Sequence, residues 1–301
     1  MHEKQVTSVL NKQKQRDSWF LTEYSVNPYE GCSCNCLYCY VRGSKYGENI
    51  DNGLVIKSNA LAVLEKQLQT KTKKGQYGFV VVGSATDAYL HHDEKWRLTE
   101  GMLKLFLKYR FPVFISTKSK LVLRDVELLK QIDKAAILPE DLRVSLGRGV
   151  ILSISISSMS EEVSRVLEPG AATPMERLKI LHQFKQHGFL CGVNAIPILP
   201  FISDTEEELE KIISSARDHG ADYILVGGLT LFGKDPADSK TLYYEFLKRY
   251  YPSLIAQYQK MYGMNFFPPK KYLEELKQKA ERISSKYHIR TAILDQHVEA
   301  T

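Results

Sequence analysis

Short runs rich in β-branched and aromatic residues recur at positions 24–27, 79–82, 112–117, 150–155, 189–196 and 223–226. From the second run onward their starts lie roughly 35 residues apart, and the gaps carry apolar residues at helical spacing. In the gap before the fifth run, Thr173-Pro174-Met175-Glu176 offers a cap, a proline at the first helical position and a capping-box glutamate. Leu178, Ile180, Leu181 and Phe184 follow as a buried stripe, and Gly188 ends the helix. The next helix is expected to open on Asp204, with Glu207 three residues on and Leu209, Ile212 and Ile213 beyond.

Six near-continuous apolar strands, each followed by a helix, predict an α/β fold with a buried parallel sheet. Six units are two short of a closed eight-fold barrel. The expected architecture is a partial (β/α)6 TIM-like barrel at 19–235, with an N-terminal arm at 1–18 and a helical C-terminal extension at 236–301. The arm is polar and rich in Lys and Gln, so it is expected to be loosely held. A doubly wound open sheet has the same periodicity and stands as the alternative. Small and polar residues collect where the strands end, at Gly83-Ser84, Ser116-Thr117-Lys118, Ser155-Ile156-Ser157, Pro197 and Gly227-Gly228. In parallel βα folds that face binds ligands.

Composition narrows the class without changing the fold. The chain has 301 residues, 44% hydrophobic and 25% charged, as in globular proteins. No apolar run approaches the 18 or so residues of a membrane span, and the first residues lack the apolar stretch of a secretory signal, so a reducing cytoplasm is expected. A formal charge of +6 permits contact with a polyanion without requiring it.

The five cysteines are unevenly spread: Cys32, Cys34, Cys36 and Cys39 fall within eight residues, and Cys191 stands apart. Cys32, Cys36 and Cys39 have the i, i+4, i+7 spacing of a buried helical stripe, but Asn27-Pro28, Gly31 and Asn35 around them are loop formers. Clustered cysteines in such a chain point to a metal or redox site. Structural zinc prefers four ligands in paired C-x2-C units from two segments; here the second pair is missing and Cys191 is alone, although His91 and His92 are candidates to complete a Cys/His set. A 4Fe-4S cluster held by three cysteines fits better and leaves one iron open to a small molecule.

C-x3-C-x2-C with Tyr38 just before its last cysteine, after the first strand of six βα units, resembles the radical S-adenosylmethionine (SAM) superfamily. NPYEGCSCNCLYCY, GSATDAY, STKSKLVLRDVELL, SISIS, LEPGAATPMERL and IPILPFISDTEEEL, in that order between about residues 20 and 230, resemble the group related to spore photoproduct lyase. The resemblance implies an enzyme with a 4Fe-4S cluster on Cys32, Cys36 and Cys39, and SAM chelated to the open iron. Reductive cleavage of SAM would give a 5'-deoxyadenosyl radical that takes hydrogen from a substrate. It further implies an external electron donor of the flavodoxin or ferredoxin type. Tyr38 would lie near the adenine, Ser84 near the methionine moiety, and Lys118 and Ser155 near its carboxylate. An ordinary polar strand end accounts equally well for Ser84 and Ser155, and a solvated lysine is the alternative for Lys118. Asp87 and Tyr89 are candidates to line the mouth, with helix capping the alternative for Asp87.

Spore photoproduct lyases carry a hydrogen-donor cysteine shortly after the second strand, where this chain has Gly83-Ser84-Ala85-Thr86-Asp87. Cys191 is left as a donor from another side or as a small buried hydrophobe, and Cys34 is unassigned. Nucleic acid is the leading substrate analogy, and a peptide or small metabolite the runner-up. A zinc or iron-sulfur module that binds nucleic acid without catalysis is the competing function. The lysines at 66, 71, 73 and 74, and at 270, 271, 277 and 279, are basic patches or solvated helical faces. Tyr243, Tyr244, Tyr250, Tyr251, Tyr258 and Tyr262 are base-stacking groups or a packing face, the latter favoured by their helical spacing.

Overall fold

The structure is a computed structural model that describes residues 2–44, 46–47 and 53–294. Its strands are β1 (His2–Lys4), β2 (Asn11–Lys12), β3 (Thr22–Val26), β4 (Tyr29–Glu30), β5 (Val55–Lys57), β6 (Phe79–Val82), β7 (Val113–Thr117), β8 (Val150–Ser155), β9 (Leu190–Ile198) and β10 (Tyr223–Gly228). Its helices are α1 (Ala60–Lys73), α2 (Asp93–Trp96), α3 (Leu98–Tyr109), α4 (Val126–Ala135), α5 (Glu140–Arg143), α6 (Glu161–Leu167), α7 (Pro174–Gln186), α8 (Glu206–Asp218), α9 (Ser239–Tyr250), α10 (Ile255–Tyr262) and α11 (Lys270–Lys286).

All six expected runs are strands, each within two residues of its expected ends. They pair in chain order as β3-β6-β7-β8-β9-β10, every neighbour parallel, and the short β2 lies antiparallel on the outer edge of β3. A doubly wound sheet reverses its order midway. This one does not, so that alternative is excluded. Crossovers of one hand that always step the same way put their helices on one side of the sheet. Val80, Val82, Val113, Ile115, Leu152 and Val193 accordingly share a core with Leu64, Met102, Leu129, Leu181 and Ile212 from the helices. Phe79, Val81, Phe114, Ile151, Tyr223 and Leu225, which alternate with them, form a second cluster on the opposite face. There Tyr223 reaches over Gly192 of β9 to Ser153 of β8, with 2.6 Å between hydroxyls. A Cβ on Gly192 would meet the Tyr223 ring at 2.6 Å, so glycine is what admits the ring. The barrel stays open. β10 and β3 do not pair, and β10 instead bridges to Arg290.

Helix α7 starts as its sequence motif demands, with Glu176 N donating to Thr173 Oγ1 (3.3 Å) and Thr173 N to Glu176 Oε2 (2.8 Å). α8 starts one residue later than expected: Thr205 is the cap, and its hydroxyl accepts from Glu208 N (3.2 Å). Asp204 accepts instead from Phe201 N (2.6 Å) and from the Tyr272 hydroxyl of α11 (2.8 Å), which ties the C-terminal helices to the core. The N-terminal arm is anchored, not loose. β1 pairs with β5, and Gln67 of α1 accepts from Val9 N (3.0 Å) and Leu10 N (2.9 Å), both residues being buried. Val9 and Leu10 are the short apolar pair that a composition reading of the arm passes over.

α11 lays Leu276, Ala280 and Ile283 into the main core and pairs Arg282 with Glu206 of α8 (2.6 Å). Tyr243, Tyr258 and Tyr262 are wholly buried, as a packing face requires. Tyr243 bonds Tyr258 (2.9 Å), Tyr258 donates to Pro200 O (2.5 Å) and Tyr262 to Leu229 O (2.8 Å), so these three are not open to bases. No helix of the described residues is long and apolar enough to cross a membrane.

Candidate active site at the cysteine loop

β3 ends at Val26, and the chain then runs through the cysteine segment as turns, with no helix. The helical-stripe reading is thereby excluded. Gly31 and Asn35 take left-handed φ of 83° and 50°, which bend the loop back at each end of its first cysteine pair. Asn35 N donates to Cys32 O (3.3 Å) and Cys39 N to Cys36 O (3.2 Å). Arg42 staples the loop from behind, with Nε on Cys36 O (3.3 Å) and Nη1 on Ala237 O (3.2 Å).

The loop is clamped from the turn after α6. Leu37 N donates to Leu167 O (2.9 Å), and Gly170 N donates to Cys34 O (3.1 Å). A Cβ on Gly170 would lie 1.9 Å from Ser33 O and 3.1 Å from Cys34 Cα. Gly170→Ala therefore displaces the cysteine loop, and thermal unfolding should register a loss of about 1–3 kcal/mol, the usual range for overpacking. Unchanged stability would mean that the loop has room to shift.

All five cysteines are free thiols. Asp87 N donates to Cys32 Sγ (3.5 Å), and Cys34 Sγ contacts Asp87 Oδ2 (3.8 Å). A hydrogen bond from Cys34 brings Cys32 down to about 7, against the opposing effect of burial. Burial pushes Cys36 and Cys39 up. Binding of a metal to such thiols releases their protons. Among the described residues, no three His, Cys, Asp or Glu side chains group around one ion position.

Behind the loop lies a buried charged network that residue patterns did not reveal. Tyr38, buried in the loop, donates its hydroxyl to Glu168 Oε1 and is hydrogen-bonded to Ser157 Oγ (2.9 Å). Glu168 Oε2 receives Arg177 Nη2 and Ser164 Oγ (3.2 Å). Arg177, with no exposed surface, also donates to Ala172 O (2.7 Å) and Ser155 O (2.9 Å). Lys118 Nζ stands 3.9 Å from Glu168 Oε1, its side chain 15% exposed. Burial opposes the Lys118 charge, but Glu168 and then Cys36 outweigh it and raise the ammonium above its ordinary value. Burial would likewise raise Glu168, yet Lys118 and Arg177 hold its carboxyl below the usual range. Tyr38, Lys118 and Ser155 are thus joined through two residues that sequence reading missed. Arg177 did carry a signal, because it occupies a stripe position with Leu181 and Phe184 on the buried face of α7.

Ser155 Oγ meets Ser116 Oγ (3.0 Å), which accepts from Asn194 Nδ2 (2.9 Å). Asn194 is buried, and its Oδ1 has no partner. Ser84 lies on the other side, hydrogen-bonded to Asn27 Nδ2 (3.1 Å), with its carbonyl accepting from the Tyr40 hydroxyl (2.5 Å). Asp87 does not cap a helix. It accepts from Tyr89 N (2.8 Å), Thr117 Oγ1 (2.7 Å) and Lys118 N (2.8 Å), so it binds the end of β7 to the cysteine loop. Tyr89 is buried. Cys191 sits on the helix-facing side of β9, its thiol contacting Leu181 O of α7 (3.9 Å), and burial pushes it up to about 12. That is the small-hydrophobe reading.

The chain matches the model of the radical SAM superfamily over residues 26–216. It is 29% identical over 272 residues to the uncharacterized protein Rv2578c of Mycobacterium tuberculosis, covering 88% of this chain and 75% of that one. It is 27% identical over 188 residues to the uncharacterized protein MJ0683 of Methanocaldococcus jannaschii, covering 61% and 63%. Among solved structures, an alanine mutant of spore photoproduct lyase superposes with a TM-score of 0.67 at 16% identity, covering 95% of this chain and 78% of that one. A double mutant of the same enzyme, with bound AdoMet and dinucleoside spore photoproduct, gives 0.66 at 15% identity over the same shares. These likenesses extend the shared fold beyond the matched segment into the C-terminal helices. With well over half of its length matched by the family model, this chain belongs to the radical SAM superfamily and is a radical SAM enzyme.

Proposed function

We propose that Cys32, Cys36 and Cys39 hold a 4Fe-4S cluster and that SAM binds against it, over the polar ends of β7, β8 and β9. The residues suit both groups. Three thiols on one loop are soft donors of the kind iron-sulfur clusters take. The half-buried Lys118 ammonium has no hydrogen-bond acceptor among the described residues and suits a carboxylate, while the unpartnered Asn194 Oδ1 suits a hydroxyl or ammonium donor. When bound, the two groups supply a 5'-deoxyadenosyl radical able to take hydrogen from an unactivated C–H bond. The chain's own tasks are to orient SAM, exclude water and present one C–H bond. Tyr38 would lie near the adenine, Ser84 near the methionine moiety, and Lys118 and Ser155 near its carboxylate. The single observation that carries this reading is the convergence of the cysteine loop, Lys118 and Ser155 on one buried network.

The substrate favoured is a nucleic acid or nucleotide, by analogy with the dinucleoside spore photoproduct bound in the matching lyase structure. The segment 83–87 has no thiol, and Cys191 points away from this face, so neither returns a hydrogen atom to a product there. An external one-electron donor of the flavodoxin or ferredoxin type and a reducing cytoplasm belong to the same reading. Anaerobic reconstitution should give a brown protein with about four irons per chain and dithionite-dependent 5'-deoxyadenosine. Offering damaged DNA, RNA and deuterated metabolite fractions then locates the substrate by deuterium in 5'-deoxyadenosine. A colourless protein with one zinc that leaves SAM intact would overturn the proposal.

A further inference from the structure

Glu168 is the one acid of the buried network, and the way its oxygens are shared sets what Lys118 can do. Oε2 is occupied by Arg177 and Ser164, and Oε1 by the Tyr38 hydroxyl. Lys118 Nζ stands at 3.9 Å, beyond the roughly 3.2 Å limit of an N–H···O bond. Glu168 therefore attracts the ammonium by charge without consuming its hydrogens. An ammonium has three of them, and no described residue accepts one. Half-buried without any countercharge, that ammonium would be less favoured than in water. Bonded directly to Glu168, it would have to be released before meeting another anion. The observed arrangement avoids both difficulties.

The same carboxylate holds Tyr38, which lies between Cys36 and Cys39 in the loop, so one group fixes the loop and the cation together. Arg177 completes the device by taking the other oxygen and anchoring to Ser155 O and Ala172 O on separate segments. We propose that Glu168 is a positioning residue that presets Lys118, with its hydrogens free, for the amino-acid end of SAM, while its bond to Tyr38 fixes the cysteine loop beside it. This rests on the assignment of Lys118 to that carboxylate.

The test compares two ligands on the anaerobically reconstituted protein by calorimetry. S-adenosylhomocysteine keeps the amino-acid end, and 5'-methylthioadenosine lacks it. Glu168→Gln should weaken S-adenosylhomocysteine about tenfold, the scale of one charge-assisted hydrogen bond, and shift 5'-methylthioadenosine by less than about twofold. Lys118→Met should give the same selective loss, and the double variant little more than either single one, because the two act as a unit. Glu168→Asp should recover part of the affinity. If Glu168→Gln alone does not fold, adding Arg177→Met removes the unpaired buried cation and allows the same comparison. Equal weakening of both ligands, or of neither, would make Glu168 merely structural and overturn the inference. Loss of selectivity in Lys118→Met but not in Glu168→Gln would overturn it while sparing the Lys118 assignment. A wild-type protein that does not prefer S-adenosylhomocysteine would overturn both.

Discussion

Alanine at Cys32, Cys36 or Cys39 is expected to leave the reconstituted protein pale and its 5'-deoxyadenosine at background, whereas alanine at Cys34 or Cys191 leaves iron binding intact. The contrast follows from placement. Three thiols at the family spacing share one turn-rich loop at the ligand-binding end of the sheet. Cys191 lies in the layer between β9 and α7. Its removal opens a small cavity, at about 1 kcal/mol or slightly more, without touching the loop. Cys34 is the sharper control, because it stands between two of the expected ligands but falls outside the family spacing. Iron content and the visible spectrum, recorded with 5'-deoxyadenosine for all five single variants, decide the matter. A Cys34→Ala protein that loses its iron while one of the other three retains it would reassign the ligand set.

Arg177→Met is expected to destabilise the fold by about 3–5 kcal/mol, as breaking a fully buried ion pair does. The guanidinium has no exposed surface, and its removal leaves Glu168 buried beside only a distant ammonium. It also deprives Ala172 O and Ser155 O of their donor. For a chain of this size the midpoint of thermal unfolding should fall by roughly 10 °C. Combining Arg177→Met with Glu168→Gln should recover part of this, since the only charge then left without a counterion is the partly exposed Lys118 ammonium. A single variant as stable as the parent would show that Glu168 finds another partner or takes up a proton at little expense.

Much of the fold was legible in the sequence because its signals are local. A run such as Phe79–Val82 is fully buried and apolar on both faces, which marks a central parallel strand whatever its neighbours. Thr173, Pro174 and Glu176 define a helix start within four residues. The start of α8 was misread by one position because Asp204 and Thr205 are both good caps. Asp204 is drawn away by Tyr272, a partner 68 residues on. The anchored arm and the buried tyrosines likewise depend on contacts between distant segments, such as Gln67 with Val9 and Tyr258 with Pro200.

The candidate site divides along the same line. The cysteine spacing, the six strands and the polar residues at their ends are contiguous features, so the order of residues alone determined the kind of chemistry and the end of the sheet that would carry it. The orientation of Cys191 is different, for a strand residue's side is set only once helices cover one face. The joining of Tyr38 to Glu168, 130 residues later, and of both to Arg177 and Lys118 was decided by tertiary structure alone. Charges in a low-dielectric interior are tolerated only where packing brings their partners within reach, and no local pattern records that meeting.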